Sequence, residues 1–356
     1  MYPRLLVNLE KIKENTGIVL EICKKHGIEI LAITKGFCAD PQIVEVMIQA
    51  GIKTIGDSRI LNLKKLESYN VVKVLIRIPM LSEVEDVVKY CNISYNTEIK
   101  TIKGLSLAAQ KNGKRHKIII MIDKGDLREG VYSLIELEEI IQETLRLKNI
   151  DIVGFGINMK CFGAIIPTEK TLEELTVTTK QLADKYKLNV NTLSGGNSSS
   201  FYLIETERFH GINNIRLGEA LILGTEASFN KIIPGCYNDA FTLEAEVIEV
   251  KEKPSIPHGK LALNAFNKVP SFDDRGNIKR MICAIGSQDI DFDFIIPKDD
   301  SLRILGGSSD HFILDCTLAD VDYKVGDIVS FTLGYMSILR VMNSPYVEKV
   351  FLNSKF

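Results

Sequence analysis

Eight short apolar runs recur between residue 29 and about residue 225, and the stretches between them repeat their apolar residues at helical spacing. The runs are Glu29–Thr34, Lys53–Gly56, Val71–Ile78, Asn92–Tyr95, Lys117–Asp123, Asp151–Ile157, Thr192–Ser194 and Asn214–Leu217. A strand buried on both faces reads as such a run, and a helix laid against it reads with a period near 3.6. Between the first two runs, Asp40 suits an N-cap, Pro41 the first helical position and Gly51 the stop. Eight βα units in roughly 200 residues predict a closed (β/α)8 barrel of the TIM type rather than an open sheet. The short fourth and seventh runs carry the least of this pattern.

After Gly235 the texture changes to strand-like segments separated by turns, with no long amphipathic helix. Phe241–Val250, Lys279–Ile285, Ser301–Leu305, Phe312–Cys316 and Ile328–Leu333 predict strands, with turn signals at Asp274–Asn277 and Val325–Asp327. The fold class expected is therefore α/β, a (β/α)8 barrel over residues 8–235 followed by an all-β domain over 236–356. Residues 1–7, containing Arg4–Val7, are too short to stand alone and are expected to add a strand to the second domain.

Charge narrows the function classes. Forty-four basic residues against 46 acidic ones leave a net charge of -2, so no bulk electrostatic pull favours nucleic acid or an anionic membrane. No 18-residue apolar run occurs, and the first residues lack the pattern of a secretory signal, which points to the cytoplasm. The seven cysteines form no CxxC pair and no Cys/His cluster, so no metal site is expected and a reducing compartment is.

In a barrel of this type, chemistry sits on the loops after the strands, and phosphate is held after the seventh and eighth. Lys35 closes the first run. An isolated strand-end lysine usually reaches for solvent, yet a partly desolvated amine there has a lowered pKa and can attack an aldehyde. The seventh run leads into Ser194–Ser200, whose glycines and hydroxyls suit an anion, although such a loop elsewhere is often only a polar turn. Arg216 ends the eighth run and can face a ring nitrogen, against the plainer role of pairing with Glu219. Arg128 can donate to a phenolic oxygen, or merely pair with Asp126 or Glu129.

Taken together, Leu31–Asp40, Asp126–Gly130, Ser194–Ser200, Ile215–Gly218, Leu305–His311 and Gly334–Tyr335 resemble the alanine racemase superfamily of fold-type III pyridoxal 5'-phosphate enzymes. The wording around Asp126–Gly130 and Ser308–His311 is similar to its ornithine racemase branch. The resemblance implies that Lys35 forms a Schiff base with the cofactor and serves as one acid/base. It also implies that Arg128 bonds the phenolic oxygen and that Arg216 faces the pyridine nitrogen. The phosphate would take Asn197, Ser198, Ser199, the backbone at Gly218 and the hydroxyl of Tyr335. A homodimer is implied as well, with the partner's β domain completing the site.

One departure stands out. Alanine racemases carry a catalytic tyrosine where this chain reads Ile285–Asp291, a segment with no tyrosine. Asp291 is the aligned candidate for the second acid/base, with Ser309 and His311 as others. Asp289, Asp310 and His311 are candidate contacts for a basic substrate, since a carboxylate facing the distal ammonium of ornithine or lysine would discriminate against alanine. The expected activity is racemisation of a basic amino acid, most simply ornithine. Two rivals share much of the pattern: a basic amino-acid decarboxylase, and a single-barrel carrier of the cofactor without turnover.

Overall fold

The computed structural model describes residues 1–206, 208–264, 267 and 269–353. Contacts divide the chain into two compact units, Leu9–Asn238 and a second built from Met1–Asn8 with Asp239–Phe356. The first strand, β1 (Arg4–Asn8), belongs to the second unit.

The Leu9–Asn238 unit is a closed parallel barrel with helices between its strands. Its strands are β2 (Glu29–Ile33), β3 (Thr54–Asp57), β4 (Val72–Leu75), β5 (Ile93–Asn96), β6 (His116–Met121), β7 (Ile150–Gly156), β8 (Thr192–Ser194) and β9 (Asn214–Leu217). β9 returns to pair with β2, Leu31 lying opposite Arg216. All eight apolar runs, including the two short ones, are barrel strands. The helix after β2, Pro41–Gln49, starts as its sequence predicts, with the Asp40 carboxylate accepting the Gln42 N–H at 2.9 Å.

Side chains alternate along each strand, so one set fills the barrel and the other meets the helices. Leu31, Ile33, Val74, Tyr95, Ile119, Met121 and Val153 form one buried cluster, with Ile76, Ile78 and Ile93 against it. The filling is tight enough that a Cβ on Gly56 would lie 3.0–3.2 Å from Leu31, Ile33 and Ile76. On β7 the pairing with β6 steps from Ile118 opposite Ile152 to Ile119 opposite Gly154, leaving Val153 as an extra residue. Beyond the barrel strands lies a small ribbon of β10 (Thr225–Glu226) and β11 (Lys231–Ile232).

The second unit is an eight-stranded sheet. Its main path joins β12 (Phe241–Pro254), β13 (Asn277–Cys283), β14 (Ile295–Pro297), β15 (Arg303–Gly307), β16 (Phe312–Asp315) and β17 (Ile328–Leu333) in the order β14-β17-β12-β13-β16-β15. β1 runs antiparallel to β12 and parallel to the last strand, β18 (Glu348–Leu352). On β12 the residues Phe241, Leu243, Ala245 and Val247 are buried in strict alternation, the two-residue period of a half-buried strand. Phe312 stacks on Phe292 at 5.1 Å between ring centres and leans on Phe331.

Three elements were not singled out in the sequence. Ile295–Pro297 and Glu348–Leu352 are strands, and Tyr335–Asn343 is a helix in a region read as having no long one. That helix is short, and it buries Ile338, Val341 and Met342 on one side. Among the described residues no helix is long and apolar enough to cross a membrane.

A methyl group on Gly154 would fall 2.2 Å from the Thr192 carbonyl oxygen of β8, where backbone cannot yield cheaply. Gly154→Ala is expected to lower stability by roughly 2 kcal/mol or more. Urea unfolding checks this, and an unchanged midpoint would contradict the close approach of β7 to β8.

Candidate active site

Lys35 lies two residues past the end of β2, in a short 3-10 turn, Lys35–Phe37. Leu31 and Ile33 belong to the buried cluster of barrel strands, and the alternation ends at Thr34, whose helical backbone (φ -96, ψ -4) turns the chain into the segment that carries Lys35. Two left-handed residues, Cys38 and Ala39, then swing the chain into the next helix. Behind the amine, the Thr34 hydroxyl donates to the Asp57 carboxylate at 2.6 Å, and Asp57 also takes the Arg59 N–H at 2.8 Å. Burial raises the pKa of Asp57, while the bonds from Thr34, Arg59 and Asn62 oppose the rise.

Lys35 is half-buried, and among the described residues nothing accepts a hydrogen bond from it. Burial lowers its pKa, and the positive charges of Arg128 and Arg216 push the same way against Cys161 and Asp57. Cys161, Arg128, Asp57 and Arg216 therefore all lie within electrostatic reach of Lys35.

Arg216, on β9, is 5% exposed. Its guanidinium donates to Ser194 Oγ at 2.8 Å, the Ile157 carbonyl at 2.7 Å and Asn158 Oδ1 at 3.2 Å. It also sits over the Tyr95 ring, 5.3 Å from the centroid. None of its partners is a carboxylate. Glu219, the plainer partner offered by the sequence, receives the Thr225 hydroxyl instead, and burial raises its pKa.

The loop after β8 is as compact as its glycines allow. Gly196 has φ +113, and a Cβ there would meet Ser200 Oγ at 2.4 Å. Asn197 Oδ1 caps the following turn by accepting the Ser199 N–H at 2.7 Å. Ser198 Oγ accepts the Ala220 N–H at 3.4 Å, whereas the hydroxyls of Ser199 and Ser200 are buried without a partner among the described residues. Gly218 follows β9, its backbone packed against Ile33. Two buried hydroxyls left without a partner among the described residues are donors that a bound anion would satisfy.

Burial pulls the pKa of Arg128 down, but its ion pair with Glu129 together with nearby Cys161 and Asp126 raises it on balance. The ion pair is the plain alternative the sequence offered, and it coexists with a position at the mouth. Lys124 pairs with Glu174 at 3.4 Å.

The remaining candidates lie in the β unit. Asp289 is buried, and its carboxylate accepts the Ser344 hydroxyl at 2.6 Å. Asp291 pairs with Arg340 at 2.8 Å and accepts the Asp293 N–H at 3.2 Å, and its backbone is held by Ser337. Asp310 and His311 are exposed and bonded to each other at 2.7 Å, which lowers the pKa of Asp310. Ser309 donates to the same carboxylate. Tyr335 opens the helix Tyr335–Asn343 and is half-buried.

Two residues, Asn158 and Cys161, escaped the sequence reading, and two more, Ser200 and Asp126, entered it only as members of their segments. Asn158 Oδ1 receives both Arg216 and Asn197, while its buried Nδ2 has no partner among the described residues. Ser200 is the second orphaned hydroxyl. Cys161 accepts a hydrogen bond from Asn197 at 3.4 Å, and Asp126 ties down the loop that carries it. Amides, thiols and loop carboxylates have no periodicity to betray them; the Gly-Asp-Leu-Arg wording around Asp126 was the available signal.

A family model described as the N-terminal domain of alanine racemase matches residues 7–226. The chain is 44% identical to an ornithine racemase of Acetoanaerobium sticklandii, covering 99% of this chain and all of that one. It is 40% identical to a lysine racemase of Thermotoga maritima, covering 99% of each. Among solved structures, an alanine racemase from Bartonella henselae with covalently bound pyridoxal phosphate shares the fold at a TM-score of 0.73 and 20% identity, covering 98% of this chain and 99% of that one.

The lowered pKa of Lys35 gives a signed pH dependence. Below that pKa, folded and unfolded chains both carry the proton and the burial penalty acts in full. As pH rises from there towards the ordinary lysine value, the folded chain sheds its proton first and the penalty fades. Lys35→Met is therefore expected to stabilise the cofactor-free protein at low pH, with the gain shrinking as pH rises through this window. Urea midpoints across pH test it; a gain that grows with pH would reverse the assignment.

Proposed function

Because the chain belongs to the alanine racemase family, we propose that it is a pyridoxal-phosphate-dependent racemase interconverting the L and D forms of a basic amino acid, ornithine foremost. The observation that carries this reading is the end-to-end 44% identity with an ornithine racemase, spanning barrel and β unit alike. The lysine racemase at 40% supports a diamino acid as substrate. Neither the decarboxylase nor the single-barrel carrier reading is favoured by these relatives.

The barrel mouth suits the cofactor. When bound, pyridoxal phosphate supplies an aldehyde for amines and a conjugated ring that accepts the electron pair left at Cα on loss of its proton. Lys35, made more nucleophilic by desolvation, is the amine proposed to hold that aldehyde. Asn197, Ser198, Ser199 and the backbone at Gly218 are proposed to hold the phosphate, with Ser200 added because its hydroxyl is orphaned. Tyr335 is proposed to contribute its hydroxyl. Arg216 is proposed to lie against the ring nitrogen; its guanidinium does not give up its proton, so it would keep that nitrogen unprotonated and the ring a modest electron sink. Arg128 is proposed to exchange Glu129 for the phenolic oxygen.

With a weak sink, proton placement matters more. Lys35 takes or returns the Cα proton on its own face. Asp291, held by Arg340, is the proposed carrier on the opposite face, and delivery there inverts the centre. Asp310 and His311 are proposed to meet the distal ammonium, and Asp289, bonded to Ser344, to brace the segment leading to Asp291.

We further propose a homodimer in which the partner's β unit closes the barrel mouth. Leu127, Tyr132, Ile135 and Phe162, on the loops after β6 and β7 and the start of the next helix, are exposed at 65–74%, more apolar surface than a solvated rim ordinarily carries. The seven reduced thiols accord with a cytoplasmic location.

Incubation with L-ornithine followed by chiral chromatography is expected to yield D-ornithine; putrescine would instead indicate decarboxylation. Lys35→Ala should abolish turnover, and borohydride trapping in the unaltered enzyme should label the peptide bearing Lys35. Full turnover without that amine would end the reading. Asp291→Asn is expected to slow racemisation about a hundredfold while leaving the trapped label in place; an unimpaired rate would move the second base elsewhere.

A further inference from the structure

The loop after β6 leaves and rejoins the barrel side by side. Val131 donates to the Met121 carbonyl at 2.9 Å, and Asp123 donates to the Val131 carbonyl at 3.1 Å. Between these points Gly125, Leu127 and Gly130 all have positive φ, and Asp123 Oδ1 takes the N–H groups of Gly125 and Leu127. A Cβ on Gly130 would collide with the Asp123 backbone nitrogen at 2.4 Å. This folding turns Asp126 inwards to 1% exposure while its neighbour Leu127 points out at 65%.

Once inside, the Asp126 carboxylate serves a different loop, the one after β7. Its Oδ2 accepts the N–H groups of Cys161 and Phe162, each at 3.1 Å, and its Oδ1 that of Gly163 at 3.1 Å. Gly163 also donates to the Asp126 carbonyl at 3.1 Å, an approach that leaves no room for a side chain, since a Cβ there would lie 2.9 Å from that oxygen. From the other side, Asn197 Nδ2 reaches Asn158 Oδ1, the Met159 carbonyl and Cys161 Sγ. Segment 158–163 is thus pinned between Asp126 and the loop after β8.

We propose that Asp126 is a positioning residue of the reaction: by clamping the 161–163 backbone onto the loop that carries Arg128, it fixes the Cys161 thiol and the Arg128 guanidinium around the Lys35 amine. This rests on reading the barrel mouth as the cofactor site. Only a carboxylate does the task in full, because three convergent N–H groups need two acceptor oxygens, and an amide side chain offers one.

Cys161 provides its own reporter, since it is the exposed one among seven cysteines. The test compares its alkylation by iodoacetamide, mapped by mass spectrometry, in the unaltered protein, Asp126→Ala, Asp126→Asn and Gly163→Ala, each with and without pyridoxal phosphate. Asp126→Ala is expected to react about tenfold faster without cofactor and to bind pyridoxal phosphate about tenfold more weakly, the worth of one hydrogen bond to a charged group. Asp126→Asn should fall between it and the unaltered protein. Unfolding midpoints establish that each variant is folded; should Asp126→Ala fail to fold, Gly163→Ala disturbs the same clamp from the opposite loop and carries the comparison. Alkylation and cofactor affinity both unchanged in the folded variants would overturn the proposal. Absence of cofactor binding with Asp126 intact would instead overturn the reading of the mouth, while the cofactor-free alkylation rates would still decide the clamp.

Discussion

The register of one strand governs what this barrel can do. Leu31 and Ile33 fill the buried cluster, and the turn that follows them at Thr34 carries Lys35 to the end of β2, within electrostatic reach of Asp57 and Arg216. A one-residue slip of β2 would turn both apolar side chains out of that cluster and shift the amine with them. The pairing of β2 with β3 and β9 forbids that slip, and the tight contact of Gly56 with Leu31 and Ile33 reinforces it.

The same constraint aligns Arg216 beneath the mouth. A buried guanidinium is costly unless its hydrogen bonds are met, and here Ser194, Ile157 and Asn158 meet three of them with neutral acceptors. Neutral acceptors leave the positive charge unbalanced. Lys35 is half-buried nearby, and the loop after β8 leaves two serine hydroxyls without a partner among the described residues, which is the basis for proposing an anion there. Asn158 joins Arg216 to that loop, since one oxygen serves both the guanidinium and the capping residue Asn197.

Periodicity made the barrel legible: eight runs of the right length, each followed by a helical stretch, became β2 to β9. The positions of Lys35, Arg216 and the Ser194–Ser200 loop at the ends of β2, β9 and β8 were legible because strand ends and glycine-serine turns mark themselves. The β unit was less so. Its helix at Tyr335–Asn343 spans nine residues, too few for a period to assert itself against flanking strands. The aspartates at 289, 291 and 293 read as one acidic run, yet one is buried against Ser344, one pairs with Arg340, and one lies in the short turn that Asp291 caps. Sequence spacing does not reveal such a division of labour, because it depends on Ser337, Arg340 and Ser344, which lie some fifty residues further along the chain.

β1 is seated between β12 and β18, its Arg4 opposite Glu244 on one side and Glu348 on the other. During synthesis β1 emerges before every barrel strand and both of its neighbours after them, so the ribosome will have exposed the whole barrel before that seat exists. Until then the nascent chain carries an unpaired edge at its head, and a protein truncated before Glu348 would keep it permanently, with an open strand as an invitation to aggregate.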